Sequence, residues 1–201
     1  MAAITTVEAT INGVSALLMH RFGEDAEAST GAGSTGVRPI QTSIGDDDTP
    51  RSRAEKAAYR APDGTLYFPG AAIGRLLREA GGNHKQSKSR KTLKWLVPSA
   101  IIVMDDTLTL IGPDGGALTD YEVDARPIVI PSTKGRVMRY RPRIEQWSAK
   151  ITMQVITEIL DLKTAHLLLE EGGRQLGIGD FRPEKGGPFG RFAVVEWKQI
   201  N

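Results

Sequence analysis

The feature that most restricts this chain is a glycine-dense stretch near its C-terminal end. Residues 177–192 read GIGDFRPEKGGPFGRF and hold five glycines, at 177, 179, 186, 187 and 190. Glycine admits positive φ and lets other groups approach the backbone closely. The stretch follows an apolar helical pattern and precedes an alternating strand pattern, so it must turn the chain between the two. No Gly-Lys-Ser/Thr follows, which excludes a Walker loop. It leads into a strand and not a helix, which excludes a dinucleotide fingerprint. Arg182, Lys185 and Arg191 stand among these glycines with Phe181 and Phe189. The combination suits a cradle for a phosphate backbone with rings for stacking, and Gly177, Gly179, Gly186 and Gly187 are candidate contacts. The simpler alternative is a complicated surface loop.

Periodicity supplies the other elements. Residues 3–11 are rich in Ile, Thr and Val and predict a strand. Residues 20–49 have no periodicity, and a stretch of that kind within a domain is usually a functional or a disordered loop. Thr49-Pro50 opens a short helix over 51–58, with Thr49 as its cap. Asp63-Gly64 sits in a tight hairpin between Tyr59 and residues 66–68. Residues 71–80 predict a helix burying Ile73, Leu76, Leu77 and Ala80. Residues 100–104 and 107–111 read as a hairpin, 121–130 and 136–143 as extended, and 147–156 as a strand. Asp161 caps a helix over 162–171 that packs Leu167, Leu168 and Leu169, and 191–197 form the last strand. The order suggests an α+β, ferredoxin-like (RRM-like) sandwich over residues 1–201, with a long first loop at 20–49 and a central β insertion at 105–143.

Charge is segregated although the net value is only +2. Residues 84–95, HKQSKSRKTLKW, carry Lys85, Lys88, Arg90, Lys91 and Lys94 with no acid. Residues 134–143, KGRVMRYRPR, carry Arg136, Arg139, Arg141 and Arg143 besides Lys134, again with no acid. Such segments hold an extended anion while the chain stays nearly neutral, although either alone is equally a solvated surface. Each also contains an aromatic residue, Trp95 or Tyr140, suited to stacking. In a strand, Arg139, Arg141 and Arg143 project from one face as a charged ribbon, unless they pair with Asp120, Glu122 or Asp124 on a neighbouring strand.

Other chemistries are narrowed by absence. The chain has no cysteine, so disulfides, thiolate metal sites and cysteine nucleophiles are excluded. Its three histidines, His20, His84 and His166, are isolated, so no metal site and no cofactor are expected. No apolar run reaches the roughly 20 residues that span a bilayer, and no signal peptide is visible, which gives a cytoplasmic location and no membrane contact as the expectation.

Two segments resemble a known family. A glycine-rich loop between the last helix and last strand of a ferredoxin-like domain is similar to the hallmark of the RAMP superfamily, the backbone subunits and processing nucleases of CRISPR effector complexes. Residues 66–78, LYFPGAAIGRLLR, resemble that family's strand-to-helix segment, with Pro69, Gly70, Gly74 and Arg78 at the matching places. Ala71-Ala72 stand where the family often has serines. Residues 126–147 and 177–192 also resemble uncharacterised temperate-phage proteins, which implies no activity.

The resemblance implies a non-catalytic subunit that forms a homo-oligomer along single-stranded RNA, a guide RNA, beside other effector-complex subunits. A phage protein that binds or anneals single-stranded DNA is the alternative in the same fold. A metal-independent RNA-processing endonuclease using His20 is the alternative of another class, since processing nucleases of the family often keep a general-base histidine near that place. Asp46 and Asp48 are weaker candidates, as a target-cleaving subunit's loop aspartate is thought to hold a metal. Clustered acids in a Gly/Ser-rich loop are more often simply solvated.

Overall fold

The computed structural model describes residues 3–21, 49–87, 89–129 and 135–200. Most of the aperiodic stretch at 20–49, with Asp46 and Asp48, lies outside the described residues, as does Lys88.

The main sheet has four strands, all antiparallel. In chain order they are β1 (Ile4–Gly13), β4 (Ile101–Val103), β8 (Ser148–Ile156) and β9 (Phe192–Gln199), and their spatial order is β4-β8-β1-β9. Alternation decides which side is covered. Val7, Ala9 and Ile11 of β1 and Ile151, Met153 and Val155 of β8 are fully or almost fully buried on one face. Two helices belong to the same core. α2 (Ala71–Ala80) contributes Ile73, Leu76, Leu77 and Ala80, the face that its spacing predicts. α4 (Leu162–Glu171) contributes Ala165, Leu168 and Leu169, with Asp161 accepting from the amide of Thr164 at its start. Leu167 is 39% exposed and is not part of the packing. At 100° per residue, three consecutive leucines cannot all face one side.

Two smaller sheets flank the main one. β2 (Leu17–Leu18), β7 (Arg136–Ile144) and β6 (Glu122–Val129) form one in the order β2-β7-β6. β3 (Tyr67–Pro69) and β5 (Thr107–Thr109) form the other. The short helix α1 (Pro50–Glu55) starts on the expected Thr49 cap, with Pro50 in its first turn. It is tied to the start of β6 by Arg51, which donates to the Tyr121 carbonyl at 2.6 Å, and by the Tyr121 hydroxyl, which donates to Glu55.

The hairpin expected over 100–111 does not form. β4 leaves a one-turn helix, α3 (Val97–Ala100), and joins β8, while β5 joins β3 in a different sheet. Asp105 stands where a hairpin turn was expected and is a clip instead, its Oδ2 accepting from the Thr152 amide at 2.5 Å. The tight hairpin around Asp63-Gly64 is present, closed by the Arg60–Leu66 bridge. All sheets are antiparallel and the helices are segregated from them, an α+β arrangement. Among the described residues no helix is long and apolar enough to cross a membrane.

Candidate nucleic-acid interface

The arginines of β7 keep their period of two, but not a common environment. Register sets Arg139 opposite Arg126, Arg141 opposite Asp124 and Arg143 opposite Glu122. Arg141 is buried. Its Nε lies 2.7 Å from Asp180 Oδ2, and a guanidinium nitrogen lies 4.0 Å from Asp124 Oδ2. Asp124 is itself buried and accepts from Arg126 Nε at 2.7 Å. Arg143 is half-buried and paired with Glu145 at 2.5 Å. Only Arg136 and Arg139 are exposed. The expected ribbon of Arg139, Arg141 and Arg143 is therefore graded: Arg141 and Arg143 are ion-paired, and Arg139 alone of the three is exposed, while Arg136 projects from the other face. Tyr140 points to the other face, half-buried, with the Arg53 guanidinium 5.6 Å from its ring centroid.

The glycine-rich segment is folded against β2 and the turn that precedes it. The Asp180 amide donates to the Leu18 carbonyl at 2.9 Å and the Gly190 amide to the Ala16 carbonyl at 2.8 Å. Gly177, Gly179, Gly186 and Gly190 have positive φ. Gly190 illustrates why a side chain is excluded, since a Cβ there would meet the Ile178 carbonyl oxygen at 1.7 Å. The amides of Gly177, Gly186 and Gly187 all donate to carbonyls of the same segment or the preceding turn. Gly179, Gly187 and Gly190 thus serve close internal packing, and the amides of Gly177, Gly186 and Gly187 are not presented to a ligand. Phe189 is buried with Ala16 and Leu18, under the guanidinium of Arg126 at 4.5 Å from its centroid. Phe181 is the exposed ring, at φ 48°. Arg182 donates to the Gly179 carbonyl and pairs with Glu184, which Arg75 also reaches at 2.6 Å. Lys185 is exposed, and Arg191 donates from Nε to the Arg174 carbonyl at 3.2 Å.

This anchoring brings together a group that no spacing in the sequence announces. His20 follows β2, and Asp180 is carried to it by the glycine-rich segment. His20 Nδ1 lies 3.2 Å from Asp180 Oδ2, and Nε2 lies 3.0 Å from a guanidinium nitrogen of Arg139. The hydrogen bond from His20, with the charge of Arg141 and the Phe181 amide, holds the Asp180 carboxyl down at about 2 despite its partial burial. Asp124 was expected only as a possible partner of the β7 arginines, which it is for Arg141; Asp180 and Arg126 were not candidates, because only tertiary contact distinguishes them from other charges. His20 and Asp180 also border a cleft of about 420 Å³, walled by Tyr59, Phe68, Arg75 and Arg182.

The basic segment 84–95 lies against α2 and meets the rim of this cleft at Glu79. Lys94 donates to Glu79 at 2.6 Å and Leu93 is buried, while Lys85, Arg90 and Lys91 are exposed. Trp95 is 75% exposed. Among the described residues the open face of the main sheet offers no stacking rings. Thr6, Glu8, Thr10, Lys150, Thr152, Gln154, Glu196 and Lys198 point there, and their charges meet as Lys150–Glu8 and Lys198–Glu196. Trp197 faces the helices instead, 4.7 Å from the His166 ring. Among the described residues no group of three His, Asp or Glu side chains is arranged to hold a metal.

No family model and no curated protein matches the sequence. Solved structures do match. One is a chain of the type III-B Cmr-beta complex bound to cognate target RNA, with a TM-score of 0.51 and 9% identity, covering 98% of this chain and 61% of that one. The protein therefore spans about three-fifths of that chain's length. Another is Cmr6 from Pyrococcus furiosus, with a TM-score of 0.49 and 10% identity, covering 97% of this chain and all of that one. At such identities the likeness is one of fold, and the fold is RAMP-like, as the glycine-rich segment and residues 66–78 led us to expect.

Proposed function

We propose that the protein is a non-catalytic subunit that binds single-stranded RNA within a CRISPR-type effector assembly, with several copies along the strand. The observation that carries this reading is the outer half of the β6–β7 pair. Arg136 and Arg139 are exposed there beside Val129, Val137 and Met138, which are 57%, 44% and 44% exposed. Charge next to bare apolar surface suits a ligand with phosphates on one side and base faces on the other. The likeness to a Cmr-beta chain determined with target RNA supports the same choice. The strand order β4-β8-β1-β9, with α2 and α4 contributing to the core of that sheet, supports a ferredoxin-like reading of the fold. The paired charges of the open sheet face speak against the RRM way of using it. Among the described residues Trp95 is the most open ring, and Phe181, tilted against Phe189, keeps an exposed part.

The Asp180–His20 pair also meets one requirement of a processing nuclease, a carboxylate that orients an imidazole. Its Nε2, the basic atom, faces the Arg139 guanidinium, so binding remains the favoured reading.

Anisotropy of labelled single strands across a salt series tests the proposal. Lys85, Arg90, Lys91, Arg136 and Arg139 are exposed cations. Five phosphates neutralised on a single strand give a slope of roughly −3 to −4 in log affinity against log salt. The RNA should stay full length with or without divalent metal. A flat salt response removes the electrostatic account, shortened RNA restores the nuclease, and preference for DNA moves the protein to the single-stranded DNA-binding alternative.

A further inference from the structure

The contacts of His20 determine its protonation state in this arrangement. Asp180, ionised at any pH of interest, can only accept, so His20 Nδ1 carries a hydrogen. Arg139 can only donate, so Nε2 must present its lone pair. This pattern, Nδ1 donating and Nε2 accepting, is that of the Nδ1–H tautomer. The guanidinium of Arg139 ends on an uncharged acceptor and keeps its full charge, unlike its neighbours. Arg141 is offset by Asp180 and Asp124, and Arg126 by Asp124. Arg75 and Arg182 share Glu184.

We propose that His20 and Arg139 form a phosphate site that is filled together with one proton. The exposed Arg139 side chain swings off Nε2, which it contacts at 3.0 Å, and a phosphate oxygen takes the opened place and accepts from both. For Nε2 to donate, the imidazole takes one proton from solvent, forming one N–H bond and breaking none in the protein. The same proton would be opposed in the empty site, where an imidazolium N–H would point at a guanidinium N–H. The anion removes that opposition, and Asp180 at Nδ1 stabilises the imidazolium once formed. The other charged groups bordering the cleft are Glu79 and the Arg75–Glu184–Arg182 cluster. Glu79 is satisfied by Arg78 and Lys94, and the cluster by its own pairing. Ligand and proton then strengthen each other's binding by the same factor.

This inference rests on the proposed RNA-binding reading for its ligand, the phosphodiester of a strand, but the site can be probed without RNA. The ring signals of the three histidines in the full-length protein are followed by NMR against pH, with and without inorganic phosphate, and H20Q assigns the His20 signal. Phosphate should move the His20 midpoint upward and leave His84 and His166 in place. An unmoved His20 overturns the site. In parallel, affinity for single-stranded RNA is measured against pH. Uptake of one proton makes binding about tenfold tighter per pH unit lowered, on the alkaline limb. H20Q should bind with no such slope, and R139A should lose both the slope and part of the affinity. A slope unchanged in H20Q overturns the linkage. RNA that binds without any pH dependence sinks this inference and leaves the RNA reading standing. No RNA binding with a phosphate-shifted His20 does the reverse. Strands with a 5′-phosphate and a 5′-hydroxyl separate the sources of the ligand: equal affinity assigns the site to internal phosphodiesters, and a preference for the former assigns it to a strand end.

Discussion

At the scale of single residues, the glycines of residues 177–192 are not equivalent. Gly190 has φ 70° and no room for a Cβ, because the Ile178 carbonyl oxygen would lie 1.7 Å away. Gly186 has φ 76° but nothing within 4 Å of the same position. Gly186→Ala should therefore cost only the left-handed conformation, about 1–2 kcal/mol. Gly190→Ala adds a clash with backbone that cannot swing aside, and should cost about 3 kcal/mol or more. Urea midpoints at an unchanged m-value measure both. Equal losses would show that the segment yields as a whole. The sequence announced that glycine was needed here but not why. Clustering was read as exposure to a ligand, whereas the amide of Gly190 is turned onto Ala16 and those of Gly177, Gly186 and Gly187 onto Gly172, Pro183 and Arg182. Composition carries no sign of which way a backbone faces. Asp180 was hidden for a related reason, since nothing in sequence separates a charge that will meet His20 from one that will meet water.

At the scale of elements, β7 separates two properties that alternation alone merges. A period of two assigns a face, and it did so correctly for Arg139, Arg141 and Arg143. It does not assign depth, which depends on what packs over each end of the strand. Arg141 lies under the glycine-rich segment, paired with Asp180, whereas Arg139 reaches solvent. The two single variants should part company. Arg139→Ala should change stability by less than about 0.5 kcal/mol and weaken strand binding by roughly 1.5–3 kcal/mol. Arg141→Ala leaves Asp124 and Asp180 without their shared cation. It should lower stability by about 2–4 kcal/mol, toward the low end for a broken buried pair because Asp180 is partly solvated. Thermal melts beside binding isotherms decide the point. Similar melts for both variants would contradict the grading. Where amphipathic spacing was strong, as in α2, or joined to a side-chain cap, as in α4, the limits were legible to the residue. The partners of β4 and β5 were not, because two short apolar runs flanking two aspartates look alike whether they pair with each other or with strands far away in the chain.

At the scale of the whole molecule, the two basic segments lie on different supports, one on β7 and one against α2, and the open face of the main sheet carries its charges in neutral pairs. The binding surface should therefore leave that face out. Replacing Lys150 and Lys198 by glutamine should change affinity for a single strand less than about twofold and leave the salt slope alone. Replacing Lys85 and Lys91 by glutamine should lower the slope by about 1.4, at roughly 0.7 for each phosphate no longer neutralised. A fall in slope with the first pair would place the strand on the sheet after all. The architecture of that sheet also has a bearing on how the protein comes to exist. β1 lies between two neighbours, yet those neighbours begin only at Ser148 and Phe192. Its pairing must close very long loops, whose entropy is spent before any strand pairing can repay it. α2 and α4 draw on local contacts and can form early, but one edge of β1 stays open until Ser148–Ile156 has been made, and the other until Phe192–Gln199 follows. A strand made long before both of its partners must wait for them, so the time spent translating the residues between is time this chain spends with its central strand unprotected.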